Sequence, residues 1–474
     1  MSIFIRTVAV IGLFGVIATV RAELVGEGPA LGAPELRMSQ SEVESGLLSL
    51  HDLRQAGLKI FGTQFNQYDG YGDGPMNPAN PTALGGRPTL GGNGTFLRVN
   101  GLDAQSCNDC HGIVSSATVP ATLGVGGAGG LNNAVMFMPT NIDVNDSDVN
   151  GHAGFNGRLI VPPALFGAGG IQLLAKEMTI ELQALKTHAL ANPGKTIRLT
   201  TKSVDFGVLT ADSGGTLDAS GIEGIDADLV VRPFGRKGEF ATARAFGQGA
   251  MMFHFGMQPV EIVGVGLDDD GDGVTDEILP GELSALEIFI TTQNTPRRLQ
   301  LDSDSRRGLR NFRRAGCTEC HRPQLTTKSR MLTYSFPEIA DQPDANVYYA
   351  SNLAARPASF PQHRGGLVVQ LFGDLKRHDM GYDLAENFQG ASEQANHEFM
   401  TAELWGVADT GPYLHDGRAL TLNAAILAHG GEAETARTAY ANLGETGQSE
   451  LLIFLRTLRN PVSPNADVLG IDSK

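Results

Sequence analysis

The chain has four cysteines, and all four fall in two copies of one pattern. The first copy is Cys107-Asn108-Asp109-Cys110-His111, and the second is Cys317-Thr318-Glu319-Cys320-His321. C-x-x-C-H is the attachment signature of c-type haem. Its two thiols bond to the haem vinyl groups, and the adjacent histidine supplies the proximal nitrogen to iron. A single match could arise by chance. Two matches that use every cysteine in 474 residues read as two covalently bound haems. The competing readings are a pair of disulfides or a Cys/His zinc site. Zinc joins its C-x-x-C halves at short range, whereas these motifs lie 210 residues apart.

Each motif needs a partner on the opposite face of its haem, and an internal repeat suggests one. Ala250-Met-Met-Phe-His254-Phe-Gly256 and Ala425-Ile-Leu-Ala-His429-Gly-Gly431 share A-x-x-x-H-x-G. Glu287 to Pro296 and Leu452 to Pro461 share F-x-x-T-x-x-x-P. The order is the same in both halves: haem motif, histidine-bearing helix, closing helix. Duplication is the economical explanation. It predicts His111 and His321 as proximal ligands, with His254 and His429 on the distal sides. A histidine on an apolar helix face is otherwise a satisfied core residue. If both distal histidines bind iron, the protein passes electrons. If one iron keeps an open position, peroxide or oxygen can bind there, and His254 is then the candidate acid–base residue.

Three further segments carry chemistry. Trp405 to Arg418 holds the single tryptophan, and His415 and Arg418 are candidates for haem propionates or for a place between the haems. The plain alternative is a turn built on Gly-Pro and Asp-Gly. Met380, in His378-Asp-Met380-Gly, is an alternative axial ligand. Asp268, Asp270, Asp272 and Asp276 lie in a D-x-D-x-D-G loop that offers oxygen ligands to Ca²⁺. Its twelfth position is Leu279, so Glu277 or Glu282 would have to substitute. The alternative is an acidic turn capping a helix that begins near Gly281.

The elements that position these residues are only partly periodic. A helix is expected from Ser41 to Phe61, with Ser39 and Glu42 as a capping box. Pro162 to Asn192 reads as a second helix, with Leu173, Leu174, Met178, Leu182 and Leu185 on one side. Residues 112–156 read as long loops. Residues 196–231 alternate and are rich in Val, Thr and Gly, which predicts a small β insertion. The expected fold is mainly α: two class I cytochrome c-like domains, 23–296 and 297–474, related by duplication.

Residues 1–22 have the form of a secretory signal: Arg6, an apolar run from Val8 to Val20, and a small residue, Ala22, before the cleavage point. The run is short for a membrane span, so a periplasmic or secreted chain without a stable membrane anchor is expected. Cleavage would take the formal charge from −16 to −18. Phosphate binding needs clustered Lys and Arg, so nucleic acid is an unsuited partner. An acidic surface can steer basic electron carriers, or serve solubility alone.

Together these segments resemble the bacterial di-haem oxidoreductases labelled as peroxidases, relatives of the di-haem cytochrome c peroxidases and of MauG. The carriers are both C-x-x-C-H motifs, Phe234-Gly-Arg-Lys237, the Asp268–Glu277 loop, His378-Asp-Met-Gly381, and Leu404-Trp-Gly406 through Pro412-Tyr-Leu-His-Asp-Gly-Arg418 to Ala428-His-Gly-Gly431. The resemblance implies that His429 is the distal ligand of an electron-transferring haem. It implies an acid at the position of His254, where this chain has histidine instead. It also implies a small c-type cytochrome or cupredoxin as electron donor, and peroxide or an organic substrate at the N-terminal haem. Two other activities remain open: a pure electron-transfer cytochrome with two bis-histidine haems, and a haem dioxygenase similar to the rubber-cleaving enzymes.

Overall fold

A computed structural model describes residues 28–33, 36–72, 104–113, 136–142, 155–386 and 392–470, with 136–142 and 155–160 given as backbone. The signal-like segment 1–22 and most of the Gly/Asn/Pro-rich stretch before the first C-x-x-C-H lie outside the described residues.

One arrangement of contacts occurs twice. In the first half, the helix Leu50–Gly62 crosses the helix Pro280–Thr291. In the second, Ser303–Arg314 crosses Gly444–Leu455. Each crossing is close because a glycine sits at the contact. A methyl group on Gly57 would run into the carbonyl oxygen of Ala285, and one on Gly308 into that of Glu450. Four residues further on, Phe61 meets Phe289 edge-on, with ring centres 5.6 Å apart, and Phe312 lies 5.5 Å from Phe454. All four rings are buried. Each fully buried side chain contributes about 1.5–3 kcal/mol. Phe61 lies 6.5 Å from the ring of His111, and Phe312 lies 6.4 Å from that of His321. The two crossings therefore fix the two motif histidines in the same way.

Between these small cores runs the helix Ala168–Leu190, whose first twelve residues are buried all round. Its apolar and small residues fit burial on all sides, and the buried Lys176 and Glu177 are held by the carbonyl of Thr333 and the amides of Lys328 and Ser329. Gly169 lies against the carbonyl of Thr291, Gly170 against Phe360, and Gly167, with φ +85°, against the indole of Trp405. Gln172 donates to Glu287 across 2.8 Å, both side chains buried. The strands Thr196–Thr201, Val204–Ala211 and Leu217–Asp218 form an antiparallel sheet packed on this helix, with Leu199, Phe206 and Leu209 in the common core. The end of the chain returns to the first half. Fully buried Arg54 donates to Asn465, Asp467 and Thr292.

Three expectations need correction. The first helix is two: Gln40–Glu44, with the Ser39/Glu42 capping box, and Leu50–Gly62, with its own box from Ser49 and Asp52. Gly46, at φ +69°, breaks the run, and Leu47 is left exposed. Residues 112–156 are not all loop, because Met136–Ile142 pairs antiparallel with Phe155–Ile160. The fold is helical with many small sheets rather than mainly α. In the second half, Leu325–Thr326, Met331–Ser335, Val347–Asn352, Gly366–Val369, Arg377–Asp379 and Glu398–Met400 all join two- or three-stranded sheets.

The crossings predict a specific contrast. Gly308→Ala and Gly57→Ala should each cost about 1–3 kcal/mol through overpacking. Gly62→Ala, where nothing lies within 4 Å of the new methyl, should be neutral or stabilise by up to about 1 kcal/mol. Denaturant midpoints at unchanged m-values measure both effects.

Candidate functional site

Each C-x-x-C-H forms one tight turn. Cys107–Asp109 and Cys317–Glu319 are single 3₁₀ turns, and the amides of His111 and His321 donate back to the carbonyls of Cys107 and Cys317. Asp109 stiffens the first turn by accepting from the amides of Gln105 and Ser106. Gly316, at φ +83°, opens the second. No disulfide joins any of the four cysteines. Burial pushes the Cys107 thiol up to about 12 and the Cys317 thiol up to about 11. These are not activated thiolates, so thiol–disulfide chemistry is not what the motifs are arranged for.

The histidines are arranged as ligands. His111 donates Nδ1–H to the carbonyl of Pro163 at 3.0 Å, and His321 to that of Phe372 at 3.1 Å. Burial, and then the neighbouring His254 or His429, lowers both to about 4. A neutral imidazole with Nδ1–H tethered presents its Nε2 lone pair to a metal. His429 is held in the same way, with Nδ1–H on the carbonyl of Ala425 at 2.8 Å, and burial lowers its pKa. The rings of His321 and His429 face each other with centres 6.4 Å apart. Two metal–nitrogen bonds of roughly 2 Å plus the ring offsets give about that spacing. The second pair therefore fits a single metal between two imidazoles.

The first pair is built differently. His254 is near enough that its charge disfavours one on His111. It lies on the π-turn Met251–Phe255, after the helix Ala243–Ala250, flanked by the rings of Phe253 and Phe255. The glycines that end the two repeats, Gly256 and Gly431, both adopt positive φ, at 66° and 51°. The short A-x-x-x-H-x-G match thus marks a positive-φ glycine two residues after each histidine.

The structure also assigns work to a residue that spacing alone did not explain. His378 lies between Asp374 (Nε2, 2.9 Å) and Glu432 (Nδ1, 2.7 Å), next to Cys320. Burial opposes its charge, but the bonds to Asp374, Cys320 and Glu432 outweigh it and raise His378 to about 12. A protonated imidazole donates from both ring nitrogens, and His378 with Asp374 and Glu432 forms an ion-pair network. Through Glu432 and the amide of Asp379 it pins the segment that follows His429. Met380 joins the same junction through its carbonyl, beside Gly430. The ring that faces His321 is that of His429.

His415, Arg418 and Trp405 lie elsewhere. His415 stacks on Phe399 at 4.5 Å, and burial lowers it to about 4. Lys237 covers the Phe399 ring at 3.4 Å. The exposed Arg418 pairs with Asp416 and with the carbonyl of Asp383. Trp405 is buried between Gly167 and Phe360, where the central helix meets the second half. In the acidic loop, carboxylate oxygens of Asp268, Asp270 and Asp272 converge within 4.8 Å. Asp276 does not join them. Its carboxylate accepts from the amide of Gly266, and its carbonyl accepts from Arg37. Glu282 is held by Arg37 at 2.9 Å.

Two half-buried histidine pairs each include the histidine of a C-x-x-C-H turn. Residues 363–458 match the family model described as "Di-haem oxidoreductase, putative peroxidase". This part of the chain, which contains His378, Trp405, His415 and His429, is similar to that family over the matched residues alone. Among solved structures, the chain is similar to the xenon-pressurised hydrazine synthase of Kuenenia stuttgartiensis, with 19% identity, 39% of this chain and 57% of that one covered, and a TM-score of 0.22. It is also similar to a MauG-like protein associated with microbial copper homeostasis, with 14% identity, 64% of this chain and 90% of that one covered, and a TM-score of 0.30. No curated protein matches the sequence.

His378→Leu leaves Asp374 buried and unpaired, and should destabilise the protein by about 3–5 kcal/mol. The double variant Asp374→Leu/His378→Leu should recover most of that loss. Chemical denaturation of both proteins checks the pair.

Proposed function

We propose that this chain is an exported di-haem c-type oxidoreductase of the peroxidase type, built from two duplicated cytochrome c-like units that meet near residue 296. Cys107 and Cys110 would attach one haem and Cys317 and Cys320 the other, with His111 and His321 as proximal ligands. When bound, the haems supply one-electron redox chemistry and, at an iron with an open face, a binding position for peroxide or oxygen. The observation that carries this reading is the arrangement of the pair formed by His321 and His429. His321 and His429 are both tethered through Nδ1, and their rings stand 6.4 Å apart. That suits a closed relay in which neither ring moves. His254 sits on a π-turn between two phenylalanines. His254 would hold or release a proton at the N-terminal centre, where peroxide would be reduced or an organic substrate oxidised.

Export is supported by the signal-like N-terminus, and no described helix is long and apolar enough to cross a membrane. The formal charge of −16 suits a basic electron donor, a small cytochrome or cupredoxin. A second reading rests on the proximity of His254 to His111. If that ring binds the iron permanently, the protein is an electron-transfer cytochrome with two bis-histidine haems.

Two measurements test the assignment. Cys107→Ser/Cys110→Ser should lose one of two haems under denaturing conditions, seen by haem stain and intact mass; retention of both would overturn covalent attachment at that motif. The EPR spectrum of the oxidised protein should contain a high-spin component from the N-terminal centre that responds to cyanide or peroxide. Low-spin signals alone, unchanged by half-reduction and by either ligand, would favour the pure electron carrier. His429→Ala should convert the other centre to high spin.

A further inference from the structure

A cavity of about 460 Å³ lies apart from both histidine pairs, and none of the four histidines lines it. Its walls are the central helix at Lys176 and Thr179, the helix Ala243–Ala250 at Arg244, Ala245 and Gln248, and the segment 335–340. The volume falls within the roughly 300–1,000 Å³ of small-molecule sites, which combine apolar walls with a few polar groups. Val231, Phe240, Phe336, Pro337 and Ile339 supply the apolar surface. Most charged groups around the cavity already have partners. Arg244 donates to Glu261, to Ser284 and to the carbonyl of Pro280. Gln248 donates to the same Glu261 at 2.6 Å. Lys176 donates to the carbonyls of Thr333 and Pro343, and Arg232 pairs with Asp226 and Asp228. Glu338 is the exception. Its Oε2 accepts from the Thr242 hydroxyl at 2.6 Å, while its Oε1 is buried with no hydrogen-bond partner among the described residues. A second carboxyl stands close by, because Gln172 ties buried Glu287 to the amide of Ala243, the residue after Thr242. Burial, and then Glu287, raises Glu338 to about 8. A shielded acceptor without a donor is costly.

We propose that this cavity binds a small organic ammonium ion, whose N–H donates to Glu338 and whose apolar body lies against Phe240 and Phe336. An ammonium group carries donors and no acceptor, which is what an unpartnered carboxylate oxygen takes. The bond it makes is charge-assisted on both sides and is therefore strong. The phenyl rings add apolar contact and, through their faces, attraction for a cation. A carboxylate or phosphate ligand is poorly matched. It would meet Glu338 and Glu261, and the guanidinium of Arg244 is already committed to Glu261, Ser284 and Pro280. A neutral alcohol could donate to Glu338 but would leave its charge unanswered. The assignment does not depend on haem, since no residue of either C-x-x-C-H motif lines the cavity.

The test uses the full, haem-loaded protein with 2-phenylethylamine as the probe, and 2-phenylethanol and 3-phenylpropionate as its neutral and anionic counterparts. Calorimetric titration should show one saturable site for the amine. The alcohol should bind at least about tenfold more weakly, and the acid more weakly again. Glu338→Gln keeps the shape and removes the charge. It should weaken the amine by about tenfold or more and change the alcohol by less than about threefold. Ala245→Phe, which places a ring in the cavity, should abolish binding of the amine, with the denaturant midpoint showing that the variant is folded. The proposal is overturned if the amine shows no saturable site, if the acid binds as tightly as the amine, or if Glu338→Gln leaves amine affinity unchanged. Full binding in folded Ala245→Phe would place the amine outside this cavity and overturn it equally.

Discussion

A helix can approach another until it touches the partner's backbone only where it carries no side chain, and Gly57 and Gly308 meet that condition at the two crossings. The closeness sets everything above it. It lets Phe61 and Phe312 reach across to Phe289 and Phe454, and the same two rings back His111 and His321. A proximal histidine backed by a buried aromatic ring and tethered by a carbonyl has little freedom to turn. It also stays neutral, because burial disfavours its charge. Neutrality and fixed orientation are what a metal-binding imidazole needs, and here both follow from helix packing.

The two centres share this foundation and differ in what faces them. His429 comes at the end of a short helix whose last carbonyls hold its ring, and the next residues are clamped by Glu432 to His378 and Asp379. His254 comes on a wider π-turn, a form found often at functional sites. The first arrangement resists movement of the ring. Between the two halves lie the central helix and the buried indole of Trp405, both packed tightly through Gly167, Gly169 and Gly170.

Much of the site was legible because it rests on local patterns. The C-x-x-C-H turns need only five consecutive residues. The A-x-x-x-H-x-G repeat records a local event, a glycine in left-handed conformation two residues after the histidine. The β insertion announced itself by alternation. The unread parts depend on distant partners. Nothing near Glu277 in sequence says that its side chain turns to the amide of Gln258 while Glu282 turns to Arg37. Nothing near His378 reveals Asp374 and Glu432 on either side of it. The short strands between Leu325 and Met400 carry too few residues for a periodic signal. The helix from Ser41 was read as one because Leu47 falls in step with its neighbours, although Gly46 and Ser49 stop and restart it.

The fully buried guanidinium of Arg54 has consequences for how the molecule is completed. Its partners are Thr292, at the end of the first closing helix, and Asn465 and Asp467, close to the end of the chain. Asn465 also holds the carbonyl of Ile113, two residues past the first haem motif. During synthesis, the N-terminal half emerges long before the residues that neutralise and cover one of its own charges. Until they arrive, Arg54 lacks Asn465 and Asp467, and the carbonyl of Ile113 lacks the side-chain amide of Asn465. The first half is thus made first but completed by residues 465–467 of the second.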